Sequence, residues 1–235
     1  MINAMLADRK TQTRRLVNPQ PPENVTSAGV ISRSTQGQTD EWSWLSGDPT
    51  DCDTWGFEGD FKVSFRPGDR IYVRETYFQR GHWEPVAGRQ TKGGRQKWAF
   101  VPADDVILFD APASFRKGRH AADPAAIAWH QRLGRFMPRA ASRLTLIVEA
   151  VRVERLQAIS DADAIAEGVA CWVCGGPVDG TSENDCDCFH TRAAAIASYA
   201  VLWETLHGEG SWEANPFVVA VSFHVVRGNI DQVPA

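Results

Sequence analysis

Lys10 and Thr13 stand three residues apart in the run Asp8-Arg9-Lys10-Thr11-Gln12-Thr13-Arg14-Arg15. On a helix that spacing puts an amine beside a hydroxyl on one face. A lysine next to a threonine can activate an oxygen nucleophile, provided burial or cationic neighbours lower the ammonium pKa. Arg9, Arg14 and Arg15 would be such neighbours. The same run also reads as a solvated basic helix that binds phosphate or nothing. Two carboxylates are candidates to act with it. Glu167 ends a short predicted helix, where a carboxylate opposes the macrodipole and an inert position would more comfortably hold Lys or Arg. Glu75 ends a predicted strand beside Arg74 and reads equally as a partner in a cross-strand salt bridge.

A second constellation is Cys171-x-x-Cys174 followed, eleven residues later, by Cys186-x-Cys188, with His190 two further on. Two tight thiol pairs joined by a short loop suit a tetrahedral Zn2+, and Gly175-Gly176 lets backbone amides turn toward the sulfurs. Four thiolates leave no open position, so the zinc reads as structural, stapling a loop too small for a core of its own. His190 is the alternative to Cys188 as fourth ligand. A catalytic zinc or a reversible disulfide pair are the other readings. Cys52 stands alone, and no other histidine has a partner at metal or triad spacing.

The elements that must position these groups read as a mixed α+β pattern. A helix is expected over 3–15, stopped by Pro19, Pro21 and Pro22. Residues 23–62, rich in Gly, Ser, Thr and Asp, read as an inserted loop or irregular hairpin, with Trp42, Trp44 and Trp55 as exposed rings of an interface or lid. A half-buried strand follows over 70–77, then a loop marked by Gly81, Gly88, Gly93 and Gly94, then a short strand over 98–101. Residues 110–135 read as a second insertion, basic at Arg116, Lys117 and Arg119, with a short helix over 124–133. From Arg143 a long strand puts Leu144, Leu146 and Val148 on one face. Ser160 caps a helix that Gly168 stops, with Asp163 completing a capping box. Residues 191–207 form an amphipathic helix whose Ile196, Tyr199, Trp203 and Leu206 read as a core stripe. Phe217 to Val225 alternate as the last strand.

At 235 residues and 26.0 kDa the chain suits one core of roughly 100–150 residues with insertions. No window approaches the ~18 apolar residues of a membrane span. Met1 to Arg15 is basic without an apolar stretch, so no signal peptide is expected, and clustered thiols fit a reducing compartment; the expected location is cytoplasmic. A net charge of −4 argues against wrapping duplex DNA by bulk charge and leaves room for a small nucleotide or a local basic groove.

The 8–15 run resembles the Gly-x-Lys-x-x-Glu-x-Arg signature of the ASCH domain, a PUA-like β-barrel family whose phage branch often reads Gly-Arg-Lys-Thr-Gln-Thr-Arg-Arg. The resemblance continues through residues 68–75, Met137 to Thr145, Leu156 to Gly168, and Leu202 to Pro216. Asp8 stands where the motif has glycine, and only seven residues precede it, so the strand that commonly opens this fold is expected to be short or absent. Thr13 replaces the signature's glutamate. Small bacterial ASCH enzymes that hydrolyse N4-acetylcytidine also have threonine there, and their motif lysine, that threonine and a glutamate on a later helix are assigned to catalysis. Lys10, Thr13 and Glu167 match those positions, and Arg15 matches the motif arginine.

The resemblance implies a single PUA-like barrel over residues 1–235, flanked by helices, with insertions at about 20–62, 110–135 and 170–190. It implies an amidohydrolase that removes an acyl group from a modified nucleoside or base, with Arg15, Arg14 and Glu75 as substrate-binding candidates. The competing expectation is a non-catalytic phage module that binds RNA or a modified nucleotide. In that case Lys10, Arg14 and Arg15 would hold phosphate while Trp or Tyr rings stack a base.

Overall fold

Phe217-Val218-Val219-Ala220-Val221 has no polar side chain to turn toward water, and all five are buried. A strand apolar on both sides needs cover on both. In the computed structural model, which describes residues 2–32, 41–120, 122–171, 175–176 and 193–233, this run opens β10 (Phe217–Arg227). It lies inside a four-stranded sheet with β1 (Gln12–Leu16), β9 (Leu144–Arg155) and β5 (Arg70–Tyr72), in the order β1-β10-β9-β5. The chain divides into two compact units: residues 1–71 with 146–226, and residues 72–145 with 227–234.

In the first unit, α2 (Asp161–Ala166) and α3 (Ala193–His207) cover one side of β10. Leu156, Ile159, Ala164, Tyr199 and Trp203 form one buried cluster with Val218. Trp44, buried on a second sheet, meets β10 at Phe217, their rings 5.0 Å apart. That second sheet is β2 (Ser27–Ser32), β3 (Glu41–Ser46) and β4 (Gly56–Lys62), in antiparallel order β2-β3-β4. Most of the described residues of 23–62, expected as an inserted loop or irregular hairpin, thus lie in antiparallel strands with irregular register, closer to the hairpin alternative than to the loop. Trp42 and Trp44 are buried, with Trp44 stacked on Phe61 at 3.8 Å, while Trp55 is exposed. Each such aromatic contributes about 1.5–3 kcal/mol by burial. Polar Ser43, between Trp42 and Trp44 in the chain, is also buried, its hydroxyl bonded to Asp60, so a polar composition does not by itself keep this segment at the surface.

The second unit is built on a long hairpin of β6 (Tyr77–Gln90) and β7 (Gln96–Leu108), with β8 (Ala128–Arg132) on the other edge of β6. Gly81 is not a loop marker. It sits within β6, where a Cβ would come 2.3 Å from the carbonyl oxygen of Val101, so its lack of a side chain permits strand pairing. The short helix expected over 124–133 is strand β8, and its His130 is buried.

The 3–15 helix is also corrected. α1 spans only Ile2–Leu6, and the basic run continues as edge strand β1. Thr11 and Thr13 are β-branched and suit a strand, and Gln12 and Arg14 alternate inward. The fold is α+β; its described strands form three sheets and no closed barrel. No described helix is long and apolar enough to cross a membrane.

Candidate active site

The chain reverses between α1 and β1 so that Lys10 turns inward. Asp8 takes φ 54°, and the amides of Arg9 and Lys10 both donate to the Ala4 carbonyl, at 2.8 and 3.1 Å. That left-handed conformation is why glycine suits the position and why Asp is one of the few replacements tolerated. The Thr11 amide then donates to the Ala166 carbonyl at 2.8 Å, tying β1 to the end of α2. Ser160 caps α2 by accepting from the Asp163 amide at 3.1 Å. Gly168 ends it with φ 71°, and a Cβ there would lie 2.8 Å from Lys10 Cβ.

These contacts bring Lys10 against Glu167. Lys10 is 3% exposed, and Nζ donates to Glu167 Oε2 at 2.7 Å, to the Glu167 carbonyl at 2.8 Å and to the Gln12 carbonyl at 2.8 Å. Three acceptors match the three donors of an ammonium. Burial lowers the Lys10 pKa; the Glu167 carboxylate opposes that shift, and the charges of Arg15 and Arg14 add to it. The second carboxylate oxygen of Glu167 accepts from the Tyr199 hydroxyl at 3.4 Å and lies 3.6 Å from Arg14 Nη1. Burial, followed by the Glu167 charge, pushes the Tyr199 pKa up and keeps it a donor.

Arg14 is the hub of the surrounding charges. Its fully buried guanidinium bonds the Gln12 side-chain oxygen, Glu154 at 2.8 Å and Asp163 at 3.2 Å, and leaves Nε without a partner among the described residues. Asp163 also accepts from Gln12 at 2.8 Å and Arg152 at 3.0 Å. Burial alone would raise the Asp163 pKa, but the hydrogen bonds from Gln12, Arg152 and Ser160 outweigh it and hold it well below the usual range. Lys10, Arg14 and Arg152 thus balance Glu154, Asp163 and Glu167. An unbalanced cluster this deep would be unstable.

Thr13 and Arg15 complete the site. A pocket of about 260 Å³ is lined at its polar end by Lys10, Thr13, Arg14, Arg15 and Glu167, and along α3 by Tyr199, Leu202, Trp203, Leu206 and His207. The Thr13 hydroxyl makes no hydrogen bond to a described residue, and Arg15 is exposed without an ion pair among them. The Trp203 and His207 rings stack at 4.1 Å. Leu206, expected in the core stripe, is 61% exposed and belongs to the pocket wall instead.

The edge position of β1 adds a main-chain donor. The Thr11 carbonyl accepts from Phe223 and the Val17 amide donates to Phe217, so the odd residues turn their peptide groups toward β10. Gln12 and Arg14 then turn theirs away, and the Gln12 carbonyl indeed receives Lys10. The Arg14 amide, next to Thr13, is accordingly turned away from β10 and has no acceptor there among the described residues.

The structure therefore gathers Lys10, Thr13, Arg14, Arg15 and Glu167, with Lys10 and Arg14 enclosed by acceptors rather than presented as a phosphate groove. Glu75 does not line this pocket. It belongs to the second unit, where Arg143 holds it with two nitrogens at 2.8 and 3.1 Å; this is an ion pair between two residues outside the strands rather than the cross-strand pair expected. Cys171 is buried, and its turn is closed by Cys171 N to Gly176 O at 2.7 Å and Gly175 N to Cys171 O at 2.8 Å. Among the described residues, no group of three or more His, Cys, Asp or Glu is placed to hold a metal ion. Cys174, Cys186, Cys188 and His190 lie outside the described residues. Sequence reading missed Gln12, Glu154 and Arg152 as members of the cluster. The one available signal was the period-two alternation of Gln12 with Arg14 and of Arg152 with Glu154. No protein-family model matches the chain, and neither a curated protein nor a solved structure gives a significant match to it.

Proposed function

We propose that the protein is an amidohydrolase that removes the acyl group from an N4-acylcytidine-like nucleoside or base. The observation that carries this reading is the enclosed Lys10–Glu167 pair at 2.7 Å on a pocket that also exposes the unbonded Thr13 hydroxyl. A lysine whose pKa is lowered can hand a proton to the carboxylate it touches. Neutral Lys10 then takes the Thr13 proton, by rotating away from the Gln12 carbonyl or through one water. The Thr13 oxygen, or a water held in its place, attacks the acyl carbonyl, and the Arg14 amide and Arg15 guanidinium face the oxyanion. Protonated Glu167 gives its proton to the leaving exocyclic nitrogen, and the C–N bond breaks. Lys10 ends as ammonium and Glu167 as carboxylate. Water cleaves the acyl-threonine ester by the same steps in reverse. The apolar and aromatic wall of α3 suits a planar base.

The resemblance to ASCH proteins supports a PUA-like barrel as the parent architecture, while the paired spacing of Cys171, Cys174, Cys186 and Cys188 supports a structural zinc, and the clustered thiols a cytoplasmic location.

The test is a screen of purified protein against acylated nucleosides, followed by the change in ultraviolet absorbance on deacylation. N4-acetylcytidine should be turned over, and Thr13→Ala should lose turnover with its unfolding midpoint unchanged. If no acylated nucleoside reacts, the hydrolase assignment is wrong.

A further inference from the structure

The near-neutral charge of the whole chain hides a strong partition. Residues 72–145 with 227–234, the second unit, hold fourteen Lys and Arg against seven Asp and Glu, a net +7. The remainder holds eleven against twenty-two, a net −11. A unit with that excess attracts polyanions even though the protein as a whole is acidic.

The excess has a shaped focus. Arg80 and Trp129 are cross-strand partners in the β6–β8 pair, so their side chains share one face of the sheet. Arg116 joins them, because its backbone brackets β8: its amide donates to the Trp129 carbonyl at 2.8 Å and its carbonyl accepts from Gln131 at 2.9 Å. Arg80, Arg116, Phe115 and Trp129 line a pocket of about 370 Å³. Neither arginine makes an ion pair with a described residue. Arg116 reaches only the Asp123 carbonyl at 3.3 Å, and the Asp123 carboxylate is turned to the Ala126 amide. The Trp129 ring has no aromatic partner among the described residues, and Phe115 is 37% exposed. Lys117 and Arg119 follow directly in the chain, both exposed.

We infer that the second unit docks single-stranded nucleic acid on this face, with Arg80 and Arg116 holding a backbone phosphate and Trp129 stacking a base. Two forked guanidinium groups are the donors that suit phosphate oxygens. A half-buried indole with no aromatic partner among the described residues is what distinguishes a single strand, whose bases can be splayed onto a ring, from a duplex, whose bases are hidden. The inference stands apart from the chemistry at Lys10 and needs no turnover to be tested.

The experiment is fluorescence anisotropy of a labelled twelve-nucleotide single strand titrated with the full chain at about 50 and 200 mM salt, since phosphate contacts are salt-sensitive. Wild type should bind, and a duplex of the same sequence should bind more weakly. Arg80→Glu with Arg116→Glu should weaken binding on the order of ten-fold or more. The neutral pair Arg80→Gln with Arg116→Gln should lower the log–log salt slope by about 0.7, since the two arginines share one phosphate and each neutralised single-strand phosphate is worth about 0.7. Trp129→Ala should cost about 5- to 100-fold. Lys92→Glu with Lys97→Glu, a matched charge change on the hairpin, should cost far less, and Thr13→Ala nothing. Absence of binding at the lower salt, equal binding of duplex, or an equal loss from the Lys92 and Lys97 pair would each overturn the inference.

Discussion

Lys10 and Glu167 are 157 residues apart in sequence and 2.7 Å apart in space, each almost wholly enclosed. Such a pair adds little net stability, because the cost of removing two charges from water offsets most of their attraction. In the proposed hydrolysis the pair serves instead as the proton store. The Tyr199 hydroxyl and Arg14 hold Glu167 from the other side.

Separating base chemistry from simple charge calls for Lys10→Arg. A guanidinium with a pKa above ~12 stays protonated, so turnover of an acylated cytidine should fall by at least ~100-fold, the lower end of general base effects. Full turnover by Lys10→Arg would rule out the lysine as base.

Removing one partner of the pair should be worse for folding than removing both. Lys10→Met leaves Glu167 buried without its cation and should cost about 3–5 kcal/mol. Lys10→Met with Glu167→Met should recover most of that loss in denaturant melts, because no uncompensated charge remains.

The pH dependence has a definite sign. Lys10 has a lowered pKa when folded, so between that value and the unfolded ~10.4 the unfolded chain binds the extra proton. Stability should therefore rise with pH through this window. The rate should rise along a limb with an apparent pKa below ~10.4, a value that belongs to the Lys10–Glu167 pair rather than to either group. Asp163 gives the opposite check. Its lowered pKa contributes stability above pH ~4 that is lost as pH falls toward the folded value, and Asp163→Asn should flatten this acid limb.

Gly168→Ala should be among the most damaging small changes. The left-handed backbone alone costs about 1–2 kcal/mol for a residue with a Cβ, and that Cβ would meet Lys10 Cβ at 2.8 Å. Urea midpoints should fall, and because Lys10 is displaced, kcat should fall with them.

Metal analysis should find about one equivalent of zinc per chain, since a tetrahedral site takes four ligands. A strong chelator should then lower the melting temperature. Metal-free protein with a disulfide between any two of Cys171, Cys174, Cys186 and Cys188 would end the zinc assignment.

Features governed by neighbouring residues were legible in the sequence. Ser160 and Gly168 bound α2 because capping and a left-handed stop depend on a few adjacent residues. The apolar alternation of Leu144, Leu146 and Val148, and the apolar run from Phe217, report burial directly. The roles of Lys10, Thr13 and Glu167 were suggested by resemblance to a motif, although Lys10 and Thr13 were expected on a helix and lie before and within strand β1. Tertiary structure decided the rest. A basic run with two threonines can be helix or edge strand, and pairing with β10 selects the strand. Trp42 and Trp44 look exposed in a polar segment until that segment pairs into a sheet against Phe217. Gln12, Arg14, Arg152, Glu154 and Asp163 become one balanced cluster only because β1, β9 and α2 converge. Charge balance in a buried site is a property of distances, and the sequence carries no distances between segments 140 residues apart.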